Sequence, residues 1–299
     1  MNDWKNILIF GMGLMGGSLS LAIKKKFPNA RVTGVVRSEN SKKTIQKKNI
    51  SHDVLTESEF YQTKTFSDFD FVVFSTPVKS VIETILKLPK IGTTVYTDLG
   101  STKETILTAV NSHFDTAHQY ISSHPMCGSE HSGPEAAKED LYQDKLCIVT
   151  KPEKAKRETV DLVRNFWETI GSWTLEMGEK EHDETLSYLS HLPHILSTLL
   201  VNTAIANPVA KKQIEESTKP ITGGGFRDMS RIAGSNPEMW LSIFEENRSY
   251  VFNSLSDYKS ALEEVIEIFN PDNRSLDLEK IKAIWEKSIL AKEIIQKNK

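Results

Sequence analysis

The chain has 299 residues, enough for two domains with real hydrophobic cores. Apolar residues make up 38% and charged residues 26%, and the formal net charge is −3, so neither a phosphate backbone nor an anionic membrane is indicated as the main partner. Two cysteines, Cys127 and Cys147, build no disulfide framework and no zinc site. No run approaches the roughly 20 apolar residues that span a bilayer. The first residues lead straight into an apolar run without a leader pattern. The expectation is a cytoplasmic protein that engages neither nucleic acid nor membrane.

In chain order, residues 7–10, 32–36, 71–74 and 93–97 read as short buried strands. Amphipathic stretches such as 18–26 and 78–88 lie between them. Strand and helix in alternation imply parallel strands with crossover helices, an α/β doubly wound sheet of the Rossmann type. Residues 147–149 and 173–175 read as later strands around a helix at 153–170. After Gly178 strand signals stop and long segments of 3.6-residue period follow: 183–206, 209–233, 238–269 and 278–297. Pro193 is expected to kink the first of them. The expected domains are therefore 1–178, dinucleotide-binding, and 179–299, all-helical and concerned with substrate and dimerisation.

Gly11-Met12-Gly13-Leu14-Met15-Gly16 ends a strand and opens a helix, the context that gives a GxGxxG string its meaning. Gly11 allows the tight turn, Gly13 lets backbone approach a pyrophosphate, and Gly16 lets helix and strand pack. The anion then sits at the helix amino terminus with Leu14 and Met15. A carboxylate after the second strand would bond the ribose of NAD. Here Arg37 and Ser38 follow instead, and Arg37 can pair with a 2′-phosphate, so the reading is NAD or NADP with a lean to NADP. Ser75-Thr76-Pro77 and the loop from Asp98 end two further strands, where ligands of such sheets lie. Thr76 as a plain helix cap is the competing reading.

Three polar segments stand out, the first two carrying histidines: His124-Pro125-Met126-Cys127-Gly128-Ser129-Glu130-His131-Ser132-Gly133, Ser190-His191-Leu192-Pro193-His194 with His182 upstream, and Gly223-Gly224-Gly225-Phe226-Arg227-Asp228-Met229-Ser230-Arg231. Together with the glycine loop, the Asp98-Leu99-Gly100-Ser101-Thr102-Lys103 loop and the run through Trp240, this order of motifs resembles the prephenate/arogenate dehydrogenase family of tyrosine biosynthesis. The resemblance spans residues 11–240. It implies oxidative decarboxylation of prephenate to 4-hydroxyphenylpyruvate, or of arogenate to tyrosine, by a homodimer joined through the helical half, with the active site in a cleft between the domains.

By that resemblance His124 is the base that takes the 4-hydroxyl proton, and Ser101 orients it. Histidine suits this work because its ordinary pKa lies near working pH. Arg231 resembles the arginine that grips a substrate carboxylate, a bidentate task for a guanidinium. Ser129, Glu130, His182, His194 and Trp240 are implied on the substrate side, and Glu130 and His194 resemble the prephenate-using branch. Arg227 reads as a surface ion pair, His191 as a structural helix contact and Cys127 as a small apolar filler. The HEXXH pattern is absent and no metal is expected. Another two-domain hydroxy-acid or imine dehydrogenase and a dinucleotide sensor without turnover remain as alternatives.

Overall fold

The computed structural model describes residues 4–90, 92–114, 119–128 and 131–296. It opens as β1 (Asn6–Phe10), α1 (Leu14–Lys26), β2 (Arg31–Val36), α2 (Glu39–Lys47), β3 (Asp53–Thr56) and α3 (Glu57–Thr63). Then follow β4 (Phe71–Phe74), α4 (Val78–Ile85), β5 (Val95–Asp98) and α5 (Glu104–His113). These strands form one sheet in the order β3-β2-β1-β4-β5, and every neighbouring pair is parallel. Side chains alternate across a strand, so β1 divides its residues between two cores. Ile7 and Ile9 join the core that α1 covers, while Leu8 and Phe10 join the one that α3, α4 and α5 cover. Burial on both faces is why the strands read as continuous apolar runs.

A second sheet follows, made of β6 (Ser122–Pro125), β7 (Leu146–Thr150) and, after α6 (Arg157–Ile170), β8 (Trp173–Glu176). β6 and β7 are antiparallel, and β7 and β8 are parallel. A single parallel bridge between Tyr96 and Tyr120 joins this sheet to β5. The apolar face of α6, including Val163, Phe166 and Trp167, packs with α1 into the same core. The carboxyl ends of β1, β4, β5 and β6 consequently share one edge.

The helical part departs from the expected four segments. It comprises α7 (Glu179–Leu186), a π-helical turn at Ser187–His191, α8 (Leu192–Ala206), α9 (Pro208–Glu216), α10 (Gly224–Ser230), α11 (Pro237–Glu246), α12 (Arg248–Ile268) and α13 (Leu278–Gln296). The π turn falls just before Pro193, which lacks the amide hydrogen that a regular turn uses. The 209–233 segment breaks at 217–223, and the 238–269 segment breaks at Asn247, the C-cap of α11.

By packing, the chain falls into two compact units that part at 248/249. α7 belongs to the first of them. Its Asp183 accepts hydrogen bonds from the Lys103 and Glu104 amides at the start of α5, at 2.8 and 2.9 Å, which ties α7 to the dinucleotide-binding half. The first compact unit is Met1–Arg248 and the second Ser249–Lys299, which holds most of α12 and all of α13. No helix among the described residues is long and apolar enough to cross a membrane.

Candidate active site

The glycine loop has the conformation its sequence requires. Gly11 has φ +103°, and a β-carbon there would lie 2.6 Å from the Ser75 carbonyl oxygen. Side chains rarely tolerate either condition, so the β1 and β4 loops can touch only through glycine. At Gly16 a β-carbon would come within 2.0 Å of the Gly11 carbonyl oxygen. Gly13 is different, because nothing lies within 4 Å of its missing side chain. Leu14 and Met15 form the first residues of α1, which has no side-chain cap and no acidic residue in its first turn. Uncapped amides and the positive helix end face this open space, the arrangement that receives a pyrophosphate.

The neighbouring loops complete the surroundings. Thr76 does not cap α4; Pro77 holds that position. The Thr76 hydroxyl is buried without a hydrogen-bond partner among the described residues. Thr76 lies against Gly11, and its orphaned hydroxyl at the glycine loop fits a polar dinucleotide. Arg37 is exposed just beyond β2 with no ion pair among the described residues. Ser38 is the N-cap of α2, its hydroxyl accepting from the Ser41 amide at 3.2 Å, so its side chain is already employed.

Asp98, expected at the cofactor, faces inward instead. Asp98 and Lys103 both have fully buried side chains, and Lys103 Nζ lies 2.6 Å from Asp98 Oδ1. Lys103 Nζ also donates to Ser122 Oγ at 2.9 Å and to the Ser123 carbonyl at 2.8 Å. Asp98 further accepts from the Gly100 amide at 2.8 Å, the Tyr120 hydroxyl at 3.0 Å and the Ser122 hydroxyl. A buried charge pair persists only when its remaining donors and acceptors are satisfied. This pair meets that condition and staples the β5 loop to β6.

β6 carries His124, which is only 9% exposed. Its Nδ1 lies 2.8 Å from His182 Nε2, and His182 Nδ1 lies 2.7 Å from Asp183 Oδ1. His182 has no exposed surface and uses both ring nitrogens on protein partners. Both of its ring nitrogens are thus taken up within the protein. Ser101, expected to orient the base, is half-buried and makes no hydrogen bond to His124; that bond belongs to His182. The two residues lie 58 positions apart, and no local pattern announces their contact. Asp183 was likewise absent from the expectations, although it follows His182 directly.

The second and third polar segments also meet. The His194 and Trp240 rings lie 4.0 Å apart between centroids, and Ser235 Oγ lies 3.3 Å from His194 Nδ1. Trp240 Nε1 is buried without a partner among the described residues. His191 is buried and meets Asn247 Nδ2 at 3.0 Å, while the same amide donates to the Asp183 carbonyl at 2.8 Å. Asn247 thus links this cluster to the His182 pair. Arg231 is exposed at the end of α10. Arg227 makes no ion pair among the described residues; it donates to the Thr222 carbonyl at 3.2 Å. Cys127 packs against the core, and burial pushes its thiol up to about 12. Ser129 and Glu130 lie outside the described residues.

Burial governs the protonation of these histidines. It holds His124 well below its ordinary 6.5, aided by His182, Lys103 and His191. It pushes His182 down to about 2, again with Lys103 and His191 contributing, and His191 down to about 4. Asp183 is raised by burial, against the two amides that hold it ionised. The unfolded chain protonates these rings below pH 6.5 while the folded one does not. Their stabilising contribution, present above pH 6.5, is therefore lost as the pH falls toward about 4 for His191 and about 2 for His182. Each ring weakens the fold by about 1.4 kcal/mol per pH unit in that window. Urea midpoints measured between pH 7.5 and 4.5 should fall steeply, and a flat profile would contradict neutral burial.

Fold and site together define a two-part dehydrogenase, with a Rossmann-type dinucleotide loop beside a buried imidazole. The chain belongs to the prephenate dehydrogenase family. The family model described as "prephenate dehydrogenase, nucleotide-binding domain" matches 19–175, and that described as "prephenate dehydrogenase, dimerization domain" matches 179–283. Prephenate dehydrogenase of Bacillus subtilis (strain 168) is 30% identical over 269 residues, covering 89% of this chain and 70% of that protein. The structure of prephenate dehydrogenase from A. aeolicus in complex with hydroxyphenyl propionate and NAD+ is 28% identical, with TM-score 0.81, covering 96% of this chain and 98% of that one. Synechocystis arogenate dehydrogenase has TM-score 0.76 at 21% identity, covering 97% and 99%, a likeness of fold. The nucleotide-binding model begins after the glycine loop, so the case for that loop rests on its geometry.

Proposed function

We propose that the protein oxidatively decarboxylates prephenate to 4-hydroxyphenylpyruvate. The observation that carries this reading is His124: a neutral, nearly buried imidazole on β6 whose Nδ1 is occupied and whose Nε2 has no partner among the described residues. A nicotinamide dinucleotide, held by the glycine loop and Thr76, would supply the acceptor for the hydride at C4 of the substrate. His124 Nε2 accepts the proton of the 4-hydroxyl as the carbon becomes a carbonyl. The bond from C1 to the ring carboxylate then breaks, its electron pair enters the ring, carbon dioxide leaves, and the phenolate formed takes the proton back. Arg231, with Ser129 and Glu130, is assigned to the substrate carboxylates and side chain, and His194 with Trp240 to a wall of the same pocket. Gly11, Gly13, Gly16 and Thr76 are assigned to the dinucleotide.

Turnover of prephenate and arogenate, each with NAD and NADP, tests the reading directly. Reduced nicotinamide with prephenate is the expected result, and silence in all four combinations refutes it. The guanidinium of Arg37, without an ion pair among the described residues and standing with Ser38 directly after β2 where a carboxylate would bond the ribose of NAD, supports NADP as the better cofactor. Arg37→Gln should then raise KM for NADP roughly tenfold, the worth of one charge-assisted contact, and leave KM for NAD unchanged. An equal effect on both cofactors would remove the preference.

The helical half is assigned to a homodimer. Phe252 is 68% exposed and Trp285 59% exposed, on helices that leave further apolar residues uncovered, such as Ile289 and Leu290. Large exposed apolar surface marks an interaction site. Sedimentation should return twice the 33.8 kDa chain mass, and a monomer at micromolar concentration would refute the assignment.

A further inference from the structure

We propose that Asp183 and His182 act as positioning residues that fix the tautomer of His124, leaving Nε2 as its bare acceptor. The inference rests on the proposed reaction only for its kinetic consequence. Asp183 is the fixed end of the chain. Its Oδ1 accepts from the Lys103 amide and its Oδ2 from the Glu104 amide, at 2.8 and 2.9 Å, at the positive amino end of α5. An ionised carboxylate only accepts, so the 2.7 Å contact requires His182 Nδ1 to carry a hydrogen.

A neutral imidazole with hydrogen on Nδ1 has its lone pair on Nε2. The 2.8 Å contact then requires His124 Nδ1 to donate to His182 Nε2. Each ring dictates the next, and His124 Nε2 is left without hydrogen. The other charged and titratable groups facing this chain are Lys103, from the loop before α5, and His191, from the π turn. Both oppose a second positive charge and keep the two rings neutral. When His124 takes a proton at Nε2, its Nδ1–H remains bonded to His182, and the Asp183 carboxylate offsets the new charge through that ring. The same carboxylate holds α7 against α5, so the relay is set when these two helices pack.

An alanine at 183 removes the acceptor that obliges His182 Nδ1 to carry its hydrogen. His182 can then hold that hydrogen on either nitrogen, and the tautomer of His124 is no longer fixed. The test is a long-range proton–nitrogen correlation spectrum of 15N-histidine-labelled protein at pH 7.5, with His124→Asn used to assign the ring. Wild-type protein should show His124 with hydrogen on Nδ1 and a bare Nε2. Asp183→Ala should leave that hydrogen shared between the two nitrogens and lower kcat by at least tenfold, with KM for the dinucleotide unchanged. His182→Asn supplies a second variant, expected to lower kcat by at least tenfold and to leave the two tautomers of His124 mixed.

His124 carrying hydrogen on Nε2 in the wild-type protein would overturn the proposal, whether or not either variant folds. So would a kcat within threefold of wild type in a folded Asp183→Ala protein. Wild-type protein with the expected tautomer but no turnover of either substrate would sustain the relay and refute the proposed reaction instead.

Discussion

His124→Asn protein should fold, bind dinucleotide normally and turn over prephenate about 10²–10⁴-fold more slowly, the range a positioned general base contributes. Asparagine can still meet His182 Nε2 through its amide nitrogen, so the packing around β6 is preserved. What it lacks is a nitrogen lone pair able to take the hydroxyl proton. The loss should fall in kcat, because the imidazole is needed most where the carbonyl is forming. Steady-state kinetics beside a dinucleotide titration and a circular dichroism spectrum would check it. A loss below tenfold, with the fold intact, would remove His124 from the proton-transfer step. Because burial keeps the ring below its ordinary 6.5, the acid limb of wild-type kcat/KM should also lie below that value.

Asp98→Ala should destabilise the protein by about 3–5 kcal/mol, the cost of leaving one member of a buried ion pair uncompensated. Lys103 would keep only the Ser122 hydroxyl and the Ser123 carbonyl as acceptors, with no exposed surface through which water could help. The Gly100 amide and the Tyr120 hydroxyl would lose their partner as well. Total stabilities are on the order of 5–15 kcal/mol, so the variant should be largely unfolded at modest urea concentration. Urea midpoints give the measurement, and a cost below 1 kcal/mol would refute the staple. The comparison also separates two roles for Asp98. A cofactor ligand would raise the dinucleotide KM in a stable protein, whereas the buried pair predicts that stability falls.

Much of the fold was legible because its signals are local. The apolar runs of β1, β2 and β4 are buried on both sheet faces, and such runs look the same in any context. The glycine loop is local too: Gly11, Gly13 and Gly16 lie within six residues, and their spacing encodes a backbone shape. Helix periodicity after Gly178 is equally direct. The breaks at 217–223 and Asn247 were not seen, because apolar spacing can run on across a cap that only hydrogen bonding defines.

The candidate site divides along the same line. The sequence by itself determined that His124, His194, Arg231 and Trp240 stand in unusual polar segments, since a motif is a property of neighbours in the chain. It could not determine the surroundings of His182 and Asp98, because each meets partners that the fold brings to it. Tertiary structure gave the bond on His124 to His182, 58 positions away, and turned Asp98 inward to Lys103, Tyr120 and Ser122. It also tied α7 to α5 through Asp183. Hydrogen-bond partners are chosen by proximity in space, and a buried polar atom must find one wherever the fold places it.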